Sequence, residues 1–152
     1  MKKENYFFLI LILIIFFLDR ISKNEILDNY SQNKYFVNQF INFDLIWNTG
    51  IGFGLLSVSS SIIYNLVTLI IAIVIISLIY ISLNSSKLDK IIYCTIIGGA
   101  MGNFYDRLKY NAVPDFIDIH YNNFHWFSFN VADIFISLGI IIFLFRGFFV
   151  KN

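Results

Sequence analysis

The sequence has few of the residues that soluble proteins turn toward water. Of its 152 residues only 14% are charged, while 58% are hydrophobic and 19% aromatic; a soluble domain carries nearer a quarter of charged residues. Such a chain belongs in a bilayer. Its 11 Lys and Arg nearly cancel its 10 Asp and Glu, leaving a formal charge of +1, so it offers no basic face for nucleic acid. Cys94 is the single cysteine and lies inside an apolar run, which excludes both a disulfide framework and a thiolate metal site. Missing motifs exclude further chemistries. There is no HExxH, and His120 and His125, five apart with no Glu between them, do not make a zinc protease. No GxSG marks a membrane serine protease, and "GIGFG" lacks the acid of a GxGD site. No internal repeat or low-complexity linker divides the chain, so residues 1–152 are expected to form one domain.

What the chain does have is long apolar segments. A helix needs about 20 residues to cross about 30 Å of hydrocarbon, and spans are expected at about 5–23, 62–83, 91–107 and 130–150. Only Ile62 to Leu83 is cleanly apolar. The other three reach spanning length by taking Asp19, Asp106 or Asp133 into one end. Four spans place both termini on one side, and Lys2 and Lys3 ahead of the first assign that side to the cytoplasm. With six Lys and Arg inside against five outside, orientation rests on that N-terminal pair. The first segment is followed by the charged "DRISK" and by no small-residue cleavage site, so it is read as a retained helix.

This topology gathers the polar clusters on the outer face. Asp19, Asp106, Asp133 and "NTGIGFG" all fall there, and of the acids only Glu4 and Asp89 lie inside. An ionisable group within a span costs about 2.5–3.5 kcal/mol, so several at one depth mark a functional site. "NFDLIWN" alternates apolar and polar residues as a half-buried strand does, and predicts a small sheet lying on the membrane surface. Trp47, Trp126, Tyr121 and Phe124 have the amphipathic character of interface anchors. The chemistry left open is that of paired carboxylates, one protonated as acid and one ionised as base. Five aspartates qualify, and each has a simpler explanation. Asp19 precedes Lys23 by four and would pair with it on one helix face. Asp106 adjoins Arg107 and could be neutralised by it. Asp133 follows Asn130 by three, the pattern of a helix cap with an acid in the first turn. Asp115 and Asp118 follow Pro114 in what reads as a solvated loop. Spacing does not choose among them.

"DRISK", "NTGIGFG", "GGAMGNFYDR" and "VPDFID…FNVAD" occur in this order, each beside an expected span. Together they resemble the lipoprotein signal peptidase family, the bacterial type II signal peptidases, over nearly the whole chain. The resemblance implies an all-α integral membrane fold: a four-transmembrane-helix bundle with a small extracytoplasmic β-sheet and a loop lid. It implies an aspartyl endopeptidase of the bacterial inner membrane, monomeric and free of cofactor or metal, with both termini cytoplasmic and its active site near the outer face. Its partners would be membrane lipids and a prolipoprotein whose Cys already carries diacylglycerol, cut just before that Cys. By motif the catalytic pair is Asp115 and Asp133, with Asp19, Lys23, Asn48, Gly54, Gly99, Asn103, Arg107 and Asn130 binding substrate or supporting the site. Asparagine amides suit an extended peptide backbone, glycines allow close approach of substrate or of another helix, and Arg107 is expected to order the carboxylates. For Lys23 a lipid headgroup or Asp19 is the expected partner. Pro114, Phe127 and Gly52 depart from the family pattern in ways that affect loop stiffness rather than chemical groups. The rival reading is a non-enzymatic transporter or assembly factor whose outer acids bind a cation or partner.

Overall fold

Helices and strands form one connected arrangement in the structure, a computed structural model that describes residues 3–50, 61–122 and 124–149. The order is α1 (Lys3–Asn29), β1 (Tyr35–Asn38), β2 (Ile41–Asn48), α2 (Ser61–Leu83), α3 (Lys87–Tyr110), β3 (Val113–Tyr121), β4 (Phe124–Phe129) and α4 (Val131–Phe149). Three of the four helices, α1, α3 and α4, take in the aspartates Asp19, Asp106 and Asp133 that bounded the apolar segments. The 23 residues of α2 correspond to about 35 Å at 1.5 Å per residue. By length and composition α2, over Ile62–Leu83, is the one helix among the described residues apolar enough to cross a membrane. Its surface is apolar all round, with Ile62, Ile76 and Tyr80 at least two-thirds exposed, as expected of a helix whose surroundings are not water.

The central helix is α3, which packs against α1, α2 and α4. Its start is capped by Ser86, whose side chain accepts from the Asp89 N–H at 3.3 Å, and its end by Asn111 in the left-handed conformation at φ 53. Glycine lets the neighbours come close. A Cβ at Gly99 would lie 2.5 Å from the Ala132 carbonyl oxygen at the start of α4, and one at Gly102 would collide with the Asp19 carboxylate of α1. These close approaches bring the sheet-side ends of α1, α3 and α4 together.

Above those ends lies an antiparallel sheet in the order β1-β2-β3-β4. The β2 strand over Ile41–Asn48 agrees with the alternation in the sequence, but the burial does not. Asn42 and Asn48 are buried while Ile46 and Trp47 are about half exposed, because the partners beneath β2 are polar. Asn42 meets His120 and Asn48 meets Asp115. The expected loop after Pro114 is instead the nine-residue strand β3. Pro114 is tolerated as its second residue, near the strand start where a missing N–H costs least. Pairing of β3 with both β2 and β4 supplies the backbone partners that a loop would have sought in water.

Candidate active site

The position of Asp115 follows from strand register. Pairing of β2 with β3 sets Ile46 opposite Asp115 and Asn48 opposite Val113, so the Asn48 side chain lies beside the carboxylate. Its Nδ2 donates to Asp115 Oδ2 at 2.8 Å, and its Oδ1 is held by the Gly50 N–H at 2.8 Å. The second oxygen, Asp115 Oδ1, accepts from Asn130 Nδ2 at 2.6 Å. Asn130 stands between β4 and α4 and caps the helix. Its Oδ1 accepts from the Asp133 N–H at 3.1 Å while its own N–H donates to Asp133 Oδ2 at 3.3 Å. This is a reciprocal capping box with Asp in place of the usual Glu or Gln. One asparagine therefore holds both carboxylates, and capping and site-building are the same set of bonds. Asp133 Oδ1 accepts from Asn103 Nδ2 of α3 at 2.8 Å.

A buried ionic cluster supports this pair. Lys23 Nζ donates to Asp19 Oδ2 at 2.9 Å, Asp106 Oδ2 at 2.7 Å and Asn103 Oδ1 at 2.8 Å, which uses all three ammonium protons. Arg20 pairs with Asp106 through both terminal nitrogens, at 2.6 and 2.9 Å. Lys23, Asp19 and Asp106 are fully buried, and removing one charge from such a set would leave another uncompensated. Asp19 Oδ1 also accepts the Ala132 N–H at 3.0 Å, a helix N-terminal donor that favours a negative partner. The cluster thus joins α1 to α3 and to the first turn of α4.

Burial raises the affinity of Asp115 for its proton, and the neighbouring charge of Asp133 raises it further. Hydrogen bonds from Asn48 and Asn130 and the charge of Lys23 oppose them, and the carboxyl is pushed up to about 6. Both carboxylates line a cavity of about 370 Å³, within the range of small-molecule sites. Its walls follow from helix periodicity. Ile96, Ala100, Asn103 and Arg107 descend one face of α3, and Asp133, Ile136, Ser137 and Ile140 one face of α4, with Ile71, Val74, Ile75 and Leu78 from α2. The polar residues are at the sheet end and the apolar ones extend along the helices. Such a site can hold an extended polar chain beside two carboxylates, with an apolar group lying between helices.

The expected residues divide as follows. Asp19, Lys23, Asn48, Asn103, Asn130, Asp115 and Asp133 form one connected network, and the Asp19–Lys23 pair is the one read from their spacing. Gly99 is at the α3–α4 contact, and Gly54 lies outside the described residues. Arg107 departs from its expected role. Its Nη2 donates to the Gly50 carbonyl at 2.6 Å rather than to either carboxylate, because Asn48 and Asn130 already occupy Asp115. Asp106 is neutralised by Arg20 and Lys23 of α1, not by Arg107 beside it, since successive helix residues point about 100° apart. Asp118 is not solvated. It accepts from His125 Nδ1 at 2.7 Å and Lys34 Nζ at 3.2 Å. Arg20 and the Ala132 N–H went unnoticed in the sequence. The signal for Arg20 was a second cation next to Asp19 in an otherwise apolar helix. Among the described residues no group of three or more His, Cys, Asp or Glu is placed to hold a metal ion.

Residues 11–149 match the family model described as signal peptidase (SPase) II. The chain belongs to the signal peptidase II family. It is 44% identical to the lipoprotein signal peptidase of Pelagibacter ubique (strain HTCC1062), across 99% of this chain and 92% of that one. With the lipoprotein signal peptidase of Anaplasma marginale (strain Florida) it shares 38% identity across 89% and 80% of the two chains. Its fold is similar to a bacterial membrane enzyme solved by the in meso method at 2.3 Å resolution, with a TM-score of 0.76 and 25% identity over 91% of this chain and 85% of that one. Membership of the signal peptidase II family makes the chain a peptidase, and it accounts for the four helices and the small antiparallel sheet occurring together.

Proposed function

We propose that the protein is a membrane aspartyl endopeptidase that removes the signal peptide from diacylglyceryl-modified prolipoproteins, cutting immediately before the lipidated Cys. The observation that carries this reading is that Asn130 holds Asp115 and Asp133 at the polar end of one cavity. In this mechanism one carboxyl of the pair carries the proton and the other is ionised, since two neighbouring carboxylates do not both ionise readily. The ionised member takes a proton from water as its oxygen attacks the scissile carbonyl. The protonated member donates to that carbonyl oxygen, and a proton then passes to the departing amine as the C–N bond breaks. Asn48 and Asn103 orient the carboxylates. Arg107 donates to the carbonyl of Gly50, whose own N–H holds Asn48 in place beside Asp115.

The bundle is read as crossing the inner membrane four times as a monomer, with both termini cytoplasmic and the sheet outside. This places the carboxylates at the outer interface, where a lipidated Cys would lie. Each buried CH₂ contributes about 0.8 kcal/mol, so two acyl chains anchor the substrate. Much of that anchoring exists before the enzyme binds, and the enzyme's share is positioning of the scissile bond. The test is cleavage by purified protein of a diacylated prolipoprotein and of the same sequence with Ser in place of the lipobox Cys, followed by gel shift. The Ser substrate, which cannot form the thioether, should be cut at least about 10²-fold more slowly, the scale of loss that misplacement causes. Equal cleavage would reject lipid-directed processing.

A further inference from the structure

Lys23 is placed to do more than balance charge. An ammonium has three donors and no acceptor, and here the donors are committed to Asp19, Asp106 and Asn103 at 2.7–2.9 Å with the side chain fully buried. A side-chain amide can flip, exchanging its donor and acceptor ends. Beside Lys23, Asn103 cannot do so without pointing its NH₂ group at an ammonium. Its oxygen must face Lys23 and its NH₂ must face Asp133, where Nδ2 donates to Oδ1 at 2.8 Å. Asn103 also lines the cavity, whereas Lys23 does not.

We infer that Lys23 is a positioning residue for the carboxylate pair, acting through Asn103: it fixes the amide so that Asp133 always meets a donor on the oxygen turned toward α3. This rests on reading Asp115 and Asp133 as the reacting carboxylates. The arrangement sets one rotamer of Asp133 from α3, while the Asn130 N–H sets it from the helix cap, leaving its remaining lone pairs for water or peptide. Asp19 and Arg20 on α1 and Asp106 on α3 are the charged groups paired with Lys23 or its partners, and the Lys23 charge also acts on Asp115. With Lys23 the three form a balanced set of two cations and two anions that keeps the ammonium in place.

A purely structural role makes a different prediction, because the cluster can be rebalanced without Lys23. Lys23→Met leaves an excess buried anion and is expected to destabilise the fold. The double variant Lys23→Met/Asp106→Asn removes one charge of each sign and leaves Asp19 paired with Arg20, so it serves as the folded test case. Asp106→Asn alone, which keeps Lys23 on Asn103, is its control; it leaves one buried cation in excess, so both variants are assayed below their measured unfolding temperatures. The double variant should cleave a diacylated prolipoprotein with kcat at least about 10²-fold below Asp106→Asn, the scale of a small misplacement, with KM within about threefold. In parallel, the Asn103 side-chain amide, observed by NMR in asparagine-¹⁵N-labelled protein in detergent, should be slow to exchange with solvent in wild type and Asp106→Asn and fast in the double variant. That second readout needs no substrate, so it judges Lys23 even if the prolipoprotein is not cut. Equal kcat in the two variants, or an equally protected Asn103 amide, would overturn the inference.

Discussion

Asp115 and Asp118 lie three residues apart on β3, both almost fully buried, and their surroundings are opposite in kind. An odd separation on a regular strand sends two side chains to opposite faces. The extra residue that disturbs the β2–β3 pairing is on β2, between Phe43 and Ile46, so β3 keeps its alternation. Asp115 faces Asn48 and Asn130, which are neutral donors, and the carboxyl of Asp133. Burial pushes it up to about 6. For Asp118 burial acts in the same direction, but hydrogen bonds from His125 and Lys34 and their charges outweigh it and hold the carboxyl below its ordinary range. The face with neutral amides keeps a carboxyl able to exchange a proton near neutrality, while the face with basic partners locks one as an anion. A strand can thus carry, three residues apart, one carboxyl that holds its proton more tightly and one that is locked as an anion.

The largest test of this contrast is substitution of each acid. Asp115→Asn should lower cleavage of a diacylated prolipoprotein by about 10²–10⁴-fold, the range for a lost general acid or base. Asp118→Asn should retain substantial cleavage, because its carboxylate belongs to the Lys34 and His125 contacts. A dead Asp118→Asn protein beside an active Asp115→Asn protein would exchange the roles of the two faces.

A smaller effect separates them by pH. An acid whose native value is raised binds its proton more tightly when folded. Its contribution to stability is therefore fully present below the unfolded value near 4 and is lost as pH rises through about 6. For Asp115, from 3.8 to about 6, the loss is at most about 3 kcal/mol at 1.36 kcal/mol per unit. Asp118 runs the other way, stabilising above its unfolded value and losing that contribution as pH falls through its lowered native value. Thermal unfolding from pH 4 to 7 should show the stability gap between wild type and Asp115→Asn moving against the wild type as pH rises. The gap for Asp118→Asn should stay nearly constant over that range and close only as pH falls below about 4. An Asp115→Asn gap as constant over pH 4 to 7 as that of Asp118→Asn would mean that the two faces do not differ electrostatically.

These differences also explain what could be read from the sequence. Helices were legible because length and apolarity are local, and so was the Asp19–Lys23 pair, which the helix repeat brings together whatever the tertiary fold. Strand β2 was legible by alternation, but its buried face was not, since the partners of Asn42 and Asn48 come from β3, more than 60 residues away. The β3 strand hid behind Pro114 and its two aspartates, residues that favour turns when no partner strand is considered. Arg107 was expected to neutralise Asp106 because it adjoins it. The structure gives Asp106 to Arg20, 86 residues earlier, a pairing that only α1–α3 packing creates. The carboxylate pair itself came from ordered motifs, because strand register and a helix cap, not sequence distance, bring Asp115 and Asp133 to one asparagine.

The smallest expected effect concerns the outer face alone. His125 joins β4 to β3 through Asp118 at 2.7 Å, but its side chain is about half exposed, and Lys34, itself partly exposed, also reaches Asp118. Pairs in water gain little, about 0.2–1 kcal/mol, because solvent and salt screen them. His125→Ala leaves Asp118 beside Lys34 at 3.2 Å and His120 at 3.9 Å and leaves the β3–β4 pairing intact, so unfolding temperature should fall by only a few degrees. That decrement should shrink in high salt, as expected of an exposed ionic contact. Cleavage should stay within about twofold of wild type, since the hydrogen bonds of His125, Lys34 and Asp118 include none to Asn48, Asn130 or Asp133 among the described residues. A tenfold loss of cleavage without loss of stability would instead carry the outer face of the sheet into the chemistry, and the division between the two faces of β3 would fail at its weakest point.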